Sequence, residues 1–322
     1  MDKKILLVGC GNIGSRHLQA LTKLPWSSDI DIVDPNKNAQ NLAKKRLEEI
    51  DYNKNNYNFS WHESIKGLHK SDLVIVATNS PGRVNIINQL LEQDHSRFLI
   101  EKMVCQSNEE YDLLLTKIKS FNAKGWVNTA RRYFLSYQKI KPIFENSEPI
   151  NLAISGGNEG LGSNAIHFID LLSWICKDYK IKLNGDLLSK KIYSNRRGAS
   201  LVEFAGTIIG STQNGSLVSI TFLPFDNLPI IIGISGETNH IIIDETNQRI
   251  LNLKNQNEIT SQFKVEYSSS LTSNIAQDII NNDECLLPTL EDSSFAHKEL
   301  FRIFNQHLKK LTNKDRALCP IT

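Results

Sequence analysis

The stretch Lys4–Gly14, KILLVGCGNIG, limits what this chain can fold into more than any other. Ile5, Leu6, Leu7 and Val8 form a continuous apolar run without polar alternation, the pattern of a central parallel strand covered on both faces. Gly9, Gly11 and Gly14 follow at once in GxGxxG spacing, with Asn12 and Ile13 completing the loop. The first glycine of such a loop permits the tight turn, the second lets a pyrophosphate reach the backbone, and the third lets the next helix pack against the strand. SRHLQALTKL supplies that helix, whose free amides and positive dipole end would face the phosphates.

The glycines become specific when an acid closes the second strand. IDIVDP places Asp34 there, 20 residues beyond Gly14. A carboxylate at this position takes the adenosine ribose hydroxyls and repels a 2′-phosphate, so the expected cofactor is NAD, with NADP disfavoured. Lys37 is near enough in sequence to soften that repulsion.

A chain of 322 residues predicts two domains. Its 37 basic and 35 acidic residues leave a net charge of +2, and no block of like charges marks an arm or tail, so no nucleic-acid partner is expected. The five cysteines are scattered and never in CxxC spacing, which argues against a zinc site, any other metal centre or a disulfide framework. Cys10, inside the glycine loop, reads as a packing residue, with a reactive thiol as the alternative. MDKKILLVG is already a strand, and no apolar run reaches the roughly 18 residues of a membrane span. The expectation is a cytoplasmic protein with no membrane partner.

Further along, NAQNLAKKRLEEI has helical spacing, NFSWHES holds a short strand, and DLVIVAT and RFLIEK are two more apolar strands. VNIINQLLEQ and EEYDLLLTKIKSF are helices, and KGWVNTA is the last strand of the set. Strands alternating with helices imply one parallel sheet over residues 1–128, a dinucleotide-binding domain. Ligands of such sheets lie beyond the carboxyl ends of the strands, which nominates Thr78, Asn79, Ser80, Glu101 and Lys102 as cofactor contacts. For the TNSPG loop, plain turn chemistry is an equal alternative.

Residues 129–322 differ in texture. PINLAIS, KKIYS, SLVEFAGTII, SLVSITFL, PIIIGIS and HIIIDE read as strands, and QNG and GETN as hairpin turns. NAIHFIDLLSWIC and PTLEDSSFAHKELFRIFNQHLKKL read as helices. Together they predict an antiparallel or mixed sheet with helix on one face, hence an α/β chain whose second domain is α+β.

Three groups could carry chemistry. Lys102 ends a buried strand on the ligand side, where desolvation would lower its pKa and fit it for proton exchange with a substrate hydroxyl. On the helix, Ile166, Ile169, Leu172 and Ile175 read as core, while Asn164, His167, Asp170 and Leu171 share a neighbouring stripe. That stripe suggests a wall for a polar ligand, with Asp170 orienting His167. Arg131, Arg132 and Tyr133 follow the last strand of the first domain, and either arginine could take a phosphate or carboxylate or else form a structural ion pair.

GCGNIG, VATNSPG, FLIEKM, ARRYFLSY, the HxxDLLxW helix and PTLEDSSFAHKELF, in this order, resemble the Gfo/Idh/MocA family of glucose-fructose oxidoreductases and inositol dehydrogenases. The resemblance implies an N-terminal Rossmann domain, a C-terminal α+β domain with a largely antiparallel open sheet, and a homodimer or homotetramer built through that sheet. It implies NAD(P)-dependent oxidation or reduction of a sugar, polyol or nucleotide-sugar carbon. Lys102 matches the lysine that exchanges the hydroxyl proton, Glu101 its cofactor-side neighbour, and His167 the histidine near the reacting carbon. Two positions depart from the family pattern: Met103 stands where proline is usual, and Ser163 where many members carry an acid. The expected function is therefore an NAD-dependent sugar oxidoreductase acting on a nucleotide or amino sugar for surface polysaccharide. A redox-neutral epimerase or lyase, and a non-catalytic nucleotide sensor or assembly subunit, are the alternatives.

Overall fold

β1 (Lys3–Val8) runs through the middle of a six-stranded sheet, and its Ile5 to Val8 are all buried. The computed structural model describes residues 2–158, 160–195, 197–226, 228–252 and 259–322. The alternation continues through α1 (Gly14–Leu21), β2 (Ser28–Val33), α2 (Lys37–Glu48), β3 (Tyr57–His62), β4 (Leu73–Val76), α3 (Arg83–Leu91), β5 (Arg97–Ile100), α4 (Asn108–Ser120) and β6 (Lys124–Val127). The sheet order is β3-β2-β1-β4-β5-β6, parallel throughout. Order reverses between β1 and β4, so the crevice at their carboxyl ends is the place where such sheets bind ligands.

A second sheet has a different logic. After the short α5 (Leu135–Ile140) come β7 (Asn151–Gly157), α6 (Leu161–Cys176), β8 (Ile181–Leu188), the two-residue strands β9 (Tyr193–Ser194) and β10 (Val202–Glu203), then β11 (Gly206–Thr212) and β12 (Leu217–Leu223). β13 (Ile231–Ser235), β14 (His240–Asp244), β15 (Arg249–Asn252) and β16 (Ile259–Gln262) complete it. Eight strands pair in the order β16-β15-β14-β13-β7-β12-β11-β8, antiparallel except for β12 against β7. Burial alternates along the strands. Ile208, Val218, Ile220 and Phe222 are covered, while Ile209 and Leu217 on the other face are exposed. The covered face meets α6, where Phe168 and Phe222 stand edge to face at 5.9 Å.

The strand expected over SLVEFAGTII is in fact two. Gly206 has φ +104°, and a Cβ there would lie 2.5 Å from the Leu187 carbonyl oxygen, so the chain turns at this point and separates β10 from β11. KKIYS is reduced to Tyr193–Ser194, and β8 adds a strand that its central Asn184-Gly185-Asp186 disguises as a turn.

By contacts the chain forms two compact units: residues 1–105, 109–128 and 266–290, and residues 106–108, 129–265 and 291–322. The return to the first unit is made by α7 (Thr272–Asn282), and α8 (Leu290–Thr312) follows. Thr272 Oγ1 meets the buried His17 of α1 at 2.6 Å, and Val127 donates its backbone N–H to the Pro288 carbonyl at 3.0 Å. Among the described residues no helix is long and apolar enough to cross a membrane.

Candidate functional site

In the first unit, the glycine loop is shaped by what its missing side chains would hit. A Cβ on Gly9, at φ +87°, would lie 2.9 Å from the Ala77 carbonyl carbon, and one on Gly14 would lie 1.9 Å from the Gly9 carbonyl oxygen. Gly11 has nothing within 4 Å of its would-be Cβ, which leaves that stretch of backbone open to an approaching group. Ile13 stands at the N-cap of α1, and no side chain caps the helix. Asp34 clasps the loop from β2: its carboxylate accepts the backbone N–H groups of Cys10 and Asn36, both at 2.9 Å. With about four acceptor positions on a carboxylate, two amides leave room for ribose hydroxyls. Lys37 pairs with Glu63, so its charge is directed to that carboxylate and away from the softening role expected of it. Cys10 is fully buried, and burial together with the Asp34 charge pushes its thiol up to about 12, which makes it a packing residue.

At the end of β5, Glu101 and Lys102 sit in a dense polar web. Nε2 of His17 donates to Glu101 Oε1 at 3.0 Å, and Asn128 Nδ2 donates to the same oxygen at 2.5 Å. Burial raises the Glu101 pKa, but these hydrogen bonds and the charges of His17 and Lys102 outweigh it and hold the carboxyl at about 2. Lys102 is buried, and the Lys102–Met103 peptide bond is cis. Arg83, also buried, donates to the carbonyls of Thr78, Glu101 and Met103, tying the ends of β4 and β5 together. Ser80 is buried and Asn79 exposed.

In the second unit, the arginines do not behave as oxyanion ligands. Arg132 grips Asp170 with Nε at 2.9 Å and Nη2 at 2.5 Å, and Thr129 Oγ1 donates to the same carboxylate at 2.7 Å. Arg131 makes the equivalent fork on Glu245 at 3.1 and 2.9 Å, with its guanidinium 4.1 Å from the Phe168 ring centre. Burial alone would lower both arginine pKa values, but the facing carboxylates raise them overall. Both guanidiniums thus serve the domain's own acids, Tyr133 is buried beside them, and Asp170 orients Arg132 rather than His167. The polar stripe on α6 is correspondingly shorter than expected. Asp170 and Leu171 are buried, and the polar side chains that stay partly exposed are Ser163, Asn164 and His167, in its first two turns.

Those first turns open on a cavity of about 960 Å³ within the second unit. Its wall includes Ser163 and Asn164 of α6, Asn195 after β9, Glu203 of β10, and Asn158 and Asp226. The Glu203 carboxylate accepts from Ser163 Oγ at 3.1 Å, and Asn195 Nδ2 donates to that hydroxyl at 3.3 Å.

Comparison with known families bears on the N-terminal segment: residues 3–129 match the model of the oxidoreductase family GFO_IDH_MocA, NAD-binding Rossmann fold. That segment belongs to the Gfo/Idh/MocA family of oxidoreductases. Curated protein sequences give no match. Solved structures match over nearly the whole chain, three of them at 11–14% identity. An oxidoreductase from Agrobacterium radiobacter in complex with NAD+, L-tartaric acid and magnesium has a TM-score of 0.72 at 14% identity, covering 97% of each chain. A UDP-N-acetylglucosamine 3-dehydrogenase from Acidithiobacillus ferrooxidans has a TM-score of 0.69 at 11% identity, covering 94% of this chain and 97% of the other. A Gfo/Idh/MocA oxidoreductase from Vibrio cholerae has a TM-score of 0.69 at 14% identity, covering 97% and 100%.

The residues present fit the NAD of this Gfo/Idh/MocA domain. Gly11 leaves the backbone bare, Asp34 holds spare acceptors, and the Thr78 hydroxyl is buried without a hydrogen-bond partner among the described residues, as a group awaiting a ligand would be. Arg83, His17 and Asn128 were invisible to sequence reasoning. Their signal was slight: an arginine opening a helix, a histidine one turn beyond the third glycine, and an asparagine closing the last parallel strand.

Proposed function

We propose that this member of the Gfo/Idh/MocA oxidoreductases moves a hydride between NAD and a hydroxyl or keto carbon of a sugar. The observation that carries the reading is the buried Lys102 at the carboxyl end of β5, beside a carboxylate fixed by His17 and Asn128. In this reading Lys102 exchanges the proton of the substrate hydroxyl through Nζ. His167 and Asn164, partly exposed in the first two turns of α6, hold neighbouring hydroxyls. The backbone of Gly9–Gly14, with Thr78, Asn79, Ser80 and Glu101, lines the cofactor's place, and Asp34 favours NAD over NADP. NAD, when bound there, accepts or returns the hydride.

We extend the reading to a nucleotide-linked or amino sugar of the kind built into surface polysaccharide, acted on in the cytoplasm. Its support is a structural neighbour whose own substrate is UDP-N-acetylglucosamine. A homodimer or homotetramer assembled through the open sheet face is proposed alongside it, supported by the exposed Ile209 and Leu217.

The test is reduced-nicotinamide absorbance during incubation with NAD and a panel of nucleotide sugars, free sugars and polyols. A substrate-dependent rise supports the reading. No change with any member overturns it, and product formation without net absorbance moves it to the redox-neutral alternative.

A further inference from the structure

Asn12 lies in the turn between β1 and α1, and its carbonyl falls outside the hydrogen-bond ladder of the helix. In a regular helix it would accept from the N–H of Arg16, four residues on, but that N–H donates to the Ile13 carbonyl at 2.9 Å. Arg46, in the last turn of α2, takes the place. Its Nη1 donates to the Asn12 carbonyl at 2.7 Å and to Ser15 Oγ at 2.6 Å, and its Nη2 to Asn12 Oδ1 at 3.3 Å. The buried Ser15 hydroxyl passes the bond on, donating to the Gly11 carbonyl at 2.6 Å. One guanidinium thus holds two successive carbonyls of the loop, one directly and one through a hydroxyl.

Arg46 is itself anchored from α1. Gln19 Nε2 donates to the Arg46 carbonyl, and Arg16 Nη1 donates to Gln19 Oε1 at 2.7 Å, so the reach of the guanidinium to the loop is set by the pairing of the two helices. The consequence falls on the amides. Across a planar trans peptide, the carbonyl of one residue and the N–H of the next point in opposite directions. Holding the Gly11 and Asn12 carbonyls toward Ser15 and Arg46 turns the N–H groups of Asn12 and Ile13 the other way, and among the described residues neither N–H donates to anything. Two unsatisfied amides beside the bare backbone of Gly11 suit the oxygens of a diphosphate. A released carbonyl can swing its lone pairs into the same space and repel them.

We propose, resting on NAD as the cofactor of this loop, that Arg46 is a positioning residue for the cofactor's diphosphate. It acts from the side opposite the amides, through the Asn12 carbonyl and through Ser15, and fixes which way the Asn12 and Ile13 N–H groups face. The hydrogen bonds to the diphosphate come from backbone, and α2 supplies the brace that keeps that backbone in place.

The experiment is isothermal titration of the full chain with ADP and with adenosine, which share the nucleoside and differ by the diphosphate. The wild type should bind ADP the more tightly. Arg46→Met should weaken ADP by about tenfold or more, the scale of one charge-assisted hydrogen bond, and adenosine by less than about threefold. Arg46→Lys, whose ammonium is a point charge without the planar fork, should fall between the two. Ser15→Ala keeps every charge and breaks the relay to Gly11, so it should weaken ADP selectively as well. If Arg46→Met does not fold by circular dichroism, Arg46→Lys and Ser15→Ala carry the test. ADP affinity unmoved in the folded variants overturns the proposal, and so does an equal loss of ADP and adenosine, the mark of a merely structural arginine. Loss in Arg46→Met with Ser15→Ala at the wild-type value also overturns it, since the guanidinium would then act on the phosphate directly. A wild type that binds ADP no better than adenosine removes the cofactor reading and the proposal together. ADP selectivity that depends on Arg46 and Ser15, in a chain that moves no hydride with any sugar, leaves the proposal standing and removes the dehydrogenase reading alone.

Discussion

Nε2 of the fully buried His17 lies 3.0 Å from Glu101 Oε1, joining the helix that opens the glycine loop to the strand end that carries Lys102. The two residues are 84 positions apart in sequence, and the contact places cofactor loop and proposed proton donor on one rigid frame. Glu101 is held at about 2 against an ordinary 4.5, so its folded form keeps the charge that the unfolded chain loses first. A depressed carboxylate contributes stability that is whole above the unfolded pKa and disappears as pH falls through the folded one.

Urea unfolding between pH 6 and roughly pH 2.5 should therefore show a loss from this group on the order of 3 kcal/mol, beginning near its unfolded pKa. Glu101→Gln should lower stability at neutral pH and flatten that part of the profile. A profile with the same slope in the variant contradicts the assignment.

Lys102→Ala should reduce turnover by about two to four orders of magnitude, the usual contribution of a positioned acid or base. NADH affinity, measured by fluorescence titration, should stay within about threefold, since the glycine loop and Asp34 are untouched. A parallel collapse of cofactor binding would show that the lysine supports the fold of the strand end and not the chemistry.

What sequence showed and what it hid divide along physical lines. The apolar runs of β1, β4 and β5 are legible because strands buried on both faces must be continuous in hydrophobicity, and Gly9 and Gly14 because backbone occupies the space of their side chains. Asp34 follows from the spacing of one βαβ unit. Burial of α6 is legible for Ile166, Ile169, Leu172 and Ile175, which all lie in the core. Hidden were relationships across long separations. Residues 266–290 return to the first unit through Thr272, and nothing local in SSSLTSNIAQ announces a partner at His17. Arg131 and Arg132 look alike for ligand binding and for ion pairing until Glu245 and Asp170 are found opposite them. Glu203 lies inside what reads as one continuous strand, and only the turn at Gly206 reveals that it belongs to a separate hairpin over the start of α6.

Asp34→Ala should weaken NADH more than NADPH. The carboxylate accepts the Cys10 and Asn36 amides, and in the proposed reading it also takes the ribose hydroxyls and repels a 2′-phosphate. Loss of the amide contacts harms both cofactors, while loss of the repulsion helps only NADPH, so the ratio of the two dissociation constants should shift toward NADPH by about tenfold or more, one ribose hydrogen bond to a charged group being worth that much. Asp34→Asn, which keeps an oxygen for one of the two amides and turns an NH2 group to the other, should shift the ratio with damage to the loop between that of the wild type and Asp34→Ala. An unaltered ratio in both variants would mean that selectivity is set elsewhere.

The buried fork between Arg132 and Asp170 predicts a sign that depends on how it is cut. Both side chains are only 4% exposed, and Thr129 and Tyr179 add hydrogen bonds at 2.7 and 3.2 Å. Removing one partner strands a charge in the interior, which costs about 3–5 kcal/mol, whereas replacing both with apolar side chains of similar volume is often close to neutral. Arg132→Met and Asp170→Leu should each be strongly destabilising in urea unfolding, and the double variant should recover most of the loss. Had Arg132 been a ligand arginine, each single change would instead raise KM and leave stability nearly intact. The fork makes the opposite split the expected one: stability lost in the singles, with KM changing only as far as the fold of the second unit loosens.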